Sequence, residues 1–303
     1  MTLHAAIVSV LSASLLMSTA AVAAPSVEVW VRTPGTYGSG TDPAGTRLVT
    51  LELDRLPQQQ VQRIDAQYGS SFYYRGVPLQ KLVAQYKPPQ QLDLLLLHFR
   101  NGMSVPLPFR DARVMARLNP LVALETATSA EGPFSGRFPP VSKHIEEYVD
   151  VPQVMFTGNK IVVSESWHPD LPEAAQASFT PWMTTDTLVG IEFADSRAYY
   201  RQFESSPEAR PGLTVYRQNC QYCHGVRKVG ASFGGDFAQP IALYKHRQDP
   251  YRLFYHIHYR IDSRPTLEQM PILKHVSEED AQQLWRFMRA MSTADPIPYA
   301  PAP

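Results

Sequence analysis

The sequence predicts a two-part chain: a mostly-β (α+β) N-terminal region followed by an all-α C-terminal one. Three observations carry that prediction. Up to about Asp195 the apolar residues fall in short, often alternating runs, as half-buried strands require. After Arg210 they recur at three- and four-residue spacing, as on one face of a helix. The chain has 303 residues, enough for two hydrophobic cores. It also carries 27 prolines, where the usual frequency of roughly 5% would give about 15. Turns and interrupted elements are therefore expected, and long helices are not.

The first element is an export segment. Residues from Ala5 to Ala24 are small or apolar and uncharged, and they end in Ala21-Val22-Ala23, the small-x-small pattern of a signal-peptidase site. A cut after Ala23 is expected, because a cut after Ala24 would put Pro25 beside the scissile bond. Its more apolar part, Ala5 to Met17, is shorter than the ~20 residues of a membrane span, and the small-residue end favours cleavage. Residues 1–23 are thus read as a signal peptide and the mature protein as periplasmic, although the n-region offers only His4 and the α-amino group as cations.

Residues 24–200 form the β-rich region. Val27 to Val31 alternates strictly, Val49, Leu51 and Leu53 alternate next, and Lys160–Val163 and Leu188–Phe193 read the same way. The clearest unit is Asp93–Phe99, then Arg100-Asn101-Gly102, then Met103–Leu107. Asn-Gly between two apolar runs is the strongest short hairpin signal, since both residues tolerate positive φ. Pro106 and Pro108 push the second strand to a sheet edge. One helix is predicted from Pro78 to Tyr86, with Leu79, Leu82, Val83 and Tyr86 on one face and Pro88 beyond its end.

A linker is read at 201–210, where Glu204-Ser205-Ser206-Pro207-Glu208 interrupts both patterns. The helical region spans 211–295. Its first helix is expected from Pro211 to Tyr222 and its second from Pro250 after Asp249 as N-cap, with Phe254, Ile257, His258 and Ile261 on one face. The third opens at Ser277, with Asp280 completing a variant capping box and Ala281, Leu284, Trp285 and Met288 in one stripe. Residues 296–303 read as a Pro-rich tail.

Composition excludes several classes. Lys+Arg and Asp+Glu both total 28 and charged residues make up 18%, so neither a basic nucleic-acid coat nor an acidic tail is present. The two cysteines, Cys220 and Cys223, cannot build a multi-disulfide scaffold or a four-thiolate site. No Gly-rich phosphate loop is evident.

Both cysteines belong to Cys220-Gln221-Tyr222-Cys223-His224. In a C-x-x-C-H sequence, two thiols on the same side of a helical turn form thioethers to the vinyl groups of haem, and the next residue turns its imidazole toward the iron. A redox dithiol would require a thioredoxin-like βαβ pattern, and a zinc half-site would require a second pair. Met270-Pro271 follows His224 by 46 residues, in a loop-like stretch between the second and third helices.

With those residues, the segment from about Pro207 to Thr293 resembles a class I cytochrome c. The resemblance implies a covalently attached haem c, His224 as proximal ligand and Met270 as distal ligand. Cys220, Cys223, His224 and Met270 are then the cofactor-binding residues, the last two on the metal. It also implies that the first and last helices cross near a glycine and aromatic side chains, for which Gly212, Tyr216, Leu284 and Trp285 are the matching residues. Other side chains of ligating type are His246, His256, His258, His275, Met288 and Met291; Met288 has the spacing of core. The family's proline soon after the haem motif is missing, so some other carbonyl must orient His224.

In the first region, Tyr74-Arg75-Gly76-Val77-Pro78-Leu79, a short helix and the Asn101-Gly102 hairpin resemble the sulfite-oxidase-type molybdopterin-binding fold. That family holds molybdenum through a cysteine within this domain, and the region has none. The resemblance therefore implies a fold, with the region acting as a docking or ligand-binding module. Trp167-His168-Pro169-Asp170 and Trp182-Met183 read as packing and turn chemistry, and His98 as an exposed-face or hydrogen-bonded core histidine.

The function expected is single-electron transfer between periplasmic redox partner proteins, with no nucleic acid and no integral membrane segment in the mature chain. Catalytic residues are not expected. Residues 208–295 carry 12 Lys+Arg against 9 Asp+Glu, an excess of three, and Arg227, Lys228, Lys245 and Arg247 are candidates for a docking ring. The alternative is a haem-containing oxidoreductase, or a subunit of one, in which the first domain or an open haem iron is catalytic.

Overall fold

A computed structural model describes residues 25–32, 45–65, 70–136, 138, 160–165, 169–170, 172–173, 187–204, 206–238, 249–259, 270 and 272–293. The export segment, Trp167, His168, Trp182, Met183, His246, Lys245, Arg247 and the Pro-rich tail lie outside them.

The β-rich region builds two sheets. The first has strands β1 (Ser26–Arg32), β2 (Gly45–Glu52), β5 (Leu94–Phe99), β6 (Ser104–Leu107) and β9 (Leu188–Ala194), in the order β2-β1-β9-β5-β6. The second has β3 (Gln59–Asp65), β4 (Ser70–Pro78), β7 (Leu121–Ala127) and β8 (Lys160–Val162), in the order β3-β4-β7-β8. β1 and β9 run parallel and the other pairs are antiparallel. All of β5 is buried, which is why Leu94 to Leu97 reads as a continuous apolar run rather than an alternating one. β6, with Pro106, lies at the sheet edge as expected. The expected helix forms as α1 (Leu79–Tyr86), burying Leu79 and Leu82.

Several elements have no counterpart in the sequence reading. α2 (Ala112–Leu118) is only seven residues long and is started by Asp111, whose side chain accepts from the N–H groups of Arg113 and Val114. α3 (Ser196–Arg201) is capped in the same way by Asp195. β3 and β4 are mixed in polarity, so no clean alternation marks them. His98 is a core histidine, 1% exposed, hydrogen-bonded at 2.8 Å to the equally buried Glu192 on β9.

The C-terminal region is helical: α4 (Arg210–Asn219), α5 (Pro250–Tyr259) and α6 (Glu278–Thr293). It also contains a two-residue hairpin, β10 (Gly225–Val226) with β11 (Val229–Gly230), so it is not purely α. α4 stops three residues before the expected Tyr222. Beyond Asn219 the amides of both Cys220 and Gln221 bond to the Tyr216 carbonyl, and the chain tightens into turns. α5 is capped by Asp249, which accepts from the Arg252 N–H at 2.9 Å. The Ser277/Asp280 box forms reciprocally, Asp280 N–H to Ser277 Oγ at 3.0 Å and Ser277 N–H to the Asp280 carboxylate at 2.9 Å.

α4 and α6 cross at Gly212. A β-carbon there would come within 2.1 Å of the Gln283 carbonyl oxygen and 2.5 Å of Phe287 Cβ, so only glycine permits this approach. Tyr216 packs on Phe287, ring centroids 5.5 Å apart. The aromatic partner at the crossing is therefore Phe287 and not Trp285, which is partly buried beside Arg289. The buried stripe of α6 is Ala281, Leu284, Phe287, Met288 and Met291.

The two regions share one continuous core. The 201–210 stretch holds the end of α3 and a 3-10 turn, Pro207–Ala209. Tyr199 meets Phe203 edge to face, and Phe203 packs in turn against Tyr216. Arg217 of α4 lies over the Tyr200 ring at 3.9 Å and pairs with Asp170 at 3.0 Å. The β5–β6 hairpin makes two backbone bonds into the helical region: Ser104 N–H to the Tyr222 carbonyl at 3.1 Å, and Ser232 N–H to the Gly102 carbonyl at 2.8 Å. Among the described residues, no helix is long and apolar enough to cross a membrane.

Candidate haem site

The C-x-x-C-H residues sit in the turns that end α4. The His224 amide bonds to the Cys220 carbonyl at 2.9 Å and the Cys223 amide to the same oxygen at 3.1 Å, which draws both cysteines and the histidine onto one tight loop. Tyr216, one helical turn earlier, donates its hydroxyl to the His224 carbonyl at 2.7 Å and pins the loop to α4.

The imidazole of His224 is oriented by a carbonyl the sequence reading could not name. Its Nδ1 lies 2.7 Å from the Gly235 oxygen. A carbonyl only accepts, so Nδ1 carries the proton and Nε2 keeps its lone pair for a ligand. Burial lowers the His224 pKa, partly offset by the Gly235 bond and the Asp236 charge, and so favours the neutral ring. Gly234 also presses against the ring: a β-carbon there would lie 2.5 Å from Cε1 and 2.7 Å from Nδ1. The Gly234 amide bonds to the Cys223 carbonyl at 2.7 Å, closing this segment onto the motif.

Cys220, Cys223 and His224 open into a cavity of about 260 Å³. Met270 lines the same cavity, with Leu253 and His256 of α5 and Leu284 and Met288 of α6. Of the other side chains of ligating type, His256 and Met288 therefore reach the cavity wall. His258 does not line it; its Nε2 lies 2.6 Å from the Val276 oxygen and its ring packs against Phe254. Nor does His275, which bonds to Asn219 Oδ1 at 2.6 Å.

The cavity fits haem. Its walls are largely apolar, two thiols and a neutral imidazole line it, and Gly234 leaves room for the ring where any β-carbon would fill it. Burial raises the Cys220 pKa, with Cys223 nearby adding to the effect. A redox dithiol needs the opposite shift. Neither cysteine is in a disulfide.

Residues 207–288 match the family model for the cytochrome C oxidase, cbb3-type, subunit III. The match supports a cytochrome c-like domain in the C-terminal region. A domain of this kind implies haem binding and electron transfer. No curated protein matches the chain.

The basic candidates for a docking ring fare unevenly. Arg227 Nε donates to the Met291 carbonyl at 2.8 Å, and so serves to tie the β10–β11 turn to α6. Arg227 and Lys228 both have positive φ, 54° and 64°, unusual for such residues. The Asp236 carboxylate accepts from both backbone amides, at 3.0 and 2.6 Å, which stabilises the turn without glycine. Asp170 is taken up by Arg217. Among the described residues, no group of three or more His, Cys, Asp or Glu is placed to hold a metal ion.

Proposed function

We propose that the protein is a periplasmic c-type cytochrome that carries one haem, bound covalently through Cys220 and Cys223, and passes single electrons between redox partner proteins. His224 and Met270 are the residues that would hold its iron. The observation that carries this reading is the convergence of these four residues on one apolar cavity.

Haem c supplies a one-electron couple, its iron alternating between ferric and ferrous states. The chain sets the conditions. His224 offers a neutral Nε2, made more basic by the bond from Nδ1–H to Gly235. Met270 offers a soft, neutral thioether, which favours the reduced metal and raises the potential relative to a second histidine. Leu253, Leu284 and their apolar neighbours exclude water from the pocket. Residues 1–23 direct export. The N-terminal region serves as a docking or ligand-binding module on a sulfite-oxidase-type fold without molybdenum.

The test is the intact mass of protein matured in cells able to attach haem to periplasmic proteins. One haem is expected on a chain beginning at Ala24, retained after acid extraction. The Cys220→Ala, Cys223→Ala double variant is expected to lose it. Extractable haem in the parent protein would overturn the covalent assignment.

A further inference from the structure

The β5–β6 hairpin of the N-terminal region reaches the proximal side of the candidate site. Gly102, at its turn with φ +89°, accepts from the Ser232 amide through its carbonyl. A β-carbon on Gly102 would lie 2.7 Å from Ser232 Oγ and 3.0 Å from the Phe233 amide nitrogen. Ser232 and Phe233 lead directly into Gly234, which faces the His224 ring, and Gly235, whose carbonyl bonds to Nδ1. Two residues past the turn, Ser104 donates to the carbonyl of Tyr222, inside the C-x-x-C-H motif. One hairpin thus grips both segments that hold the imidazole.

We propose that this hairpin is a positioning element for the proximal ligand, with Gly102 its critical residue, so that the N-terminal region tunes the redox centre. The proposal rests on the reading of His224 as an iron ligand. A donor bond from Nδ1–H makes the imidazole a stronger ligand and stabilises the oxidised metal. Pushing Ser232 and Phe233 away from Gly102 lengthens the Gly235 bond and raises the potential. A ligand or partner bound to the β-rich region would act through the same contact.

The experiment uses the full-length haem-loaded protein. A low-spin spectrum of the parent chain first tests the ligand reading by itself. The reduction potential and the hyperfine-shifted resonances of the His224 ring are then measured in Gly102→Ala. The potential is expected to rise and the ring resonances to move. In Gly102→Ala with Ser232→Gly, the nearest contact is relieved, so both readouts are expected to return part-way although the backbone strain at residue 102 persists. Gly132→Ala places the same kind of strain, φ +90°, elsewhere in the β-rich region, and is expected to lower stability without moving the potential. If Gly102→Ala does not accumulate, Asn101→Ala is read in its place. It removes the side-chain oxygen that accepts from the Met103 amide at 3.0 Å, loosening the hairpin without adding atoms, with the same sign expected. A parent-like potential in the folded hairpin variants, or an equal shift in Gly132→Ala, would overturn the proposal while leaving the ligand reading intact.

Discussion

Gly234 and the His224 ring occupy adjoining space so tightly that a β-carbon on residue 234 would lie 2.5 Å from the imidazole Cε1. The ring also bonds to the carbonyl of the next residue, 2.7 Å from Nδ1. Replacing Gly234 with alanine must move either the ring or its backbone. Gly234→Ala is expected to bind haem with a substantial high-spin fraction and to unfold at a lower temperature than the parent. The visible spectrum and a thermal melt of the same sample read both effects; a parent-like low-spin spectrum would show that the contact is relieved at no cost to ligation.

The helix crossing at Gly212 makes a prediction about stability alone. Alanine there meets the Gln283 backbone oxygen at 2.1 Å, which no side-chain rotation relieves. Gly212→Ala is expected to cost about 3 kcal/mol, the upper part of the overpacking range. Thr214→Ala, on the exposed side of the same helix, is expected to stay within about 0.5 kcal/mol. Denaturant titrations of the two variants provide the comparison.

Arg217 joins the two regions by stacking on Tyr200 and by pairing with Asp170. The ion pair is partly exposed, so the pairing energy is expected to be below about 1 kcal/mol. The stacking adds roughly 0.5–1 kcal/mol. Arg217→Ala is therefore expected to cost about 0.5–2 kcal/mol in all, and a double-mutant cycle with Asp170→Asn isolates the share of the ion pair.

His275 supplies a pH dependence. Burial lowers its pKa, Asp280 opposes that shift and His258 adds to it. The unfolded chain therefore takes up the proton more readily than the folded one. The stabilisation is complete above the unfolded value of roughly 6.5 and is lost as pH falls through the lower folded value. The thermal midpoint is expected to drop between pH 7.5 and pH 5, and less steeply in His275→Gln. Parallel pH profiles would contradict this assignment.

Much of the C-terminal region was legible in the sequence because its signals are local. Cys220, Cys223 and His224 lie within five residues, Asp249 caps the helix it precedes, and the Ser277/Asp280 box forms across one turn. The Asn101-Gly102 hairpin was legible for the same reason. What could not be read depends on distant approach. Gly235 follows His224 by 11 residues with no proline to mark it, and Phe287 rather than Trp285 meets Tyr216 because the close approach at Gly212 brings Phe287 against α4. β9 lies between β1 and β5 in the sheet, far from β1 in sequence, so the topology was not visible. The contact of Gly102 with Ser232 spans 130 residues and joins two patterns that the sequence separates.

The most direct test of the account is the visible spectrum of the mature protein, oxidised, reduced and under carbon monoxide. The account predicts a low-spin c-type spectrum with the weak sulfur-to-iron charge-transfer band, unchanged by carbon monoxide, and loss of that band in Met270→Ala. A high-spin spectrum, or one that shifts with carbon monoxide in the parent protein, would contradict His224/Met270 ligation and favour an open, catalytic iron over an electron carrier.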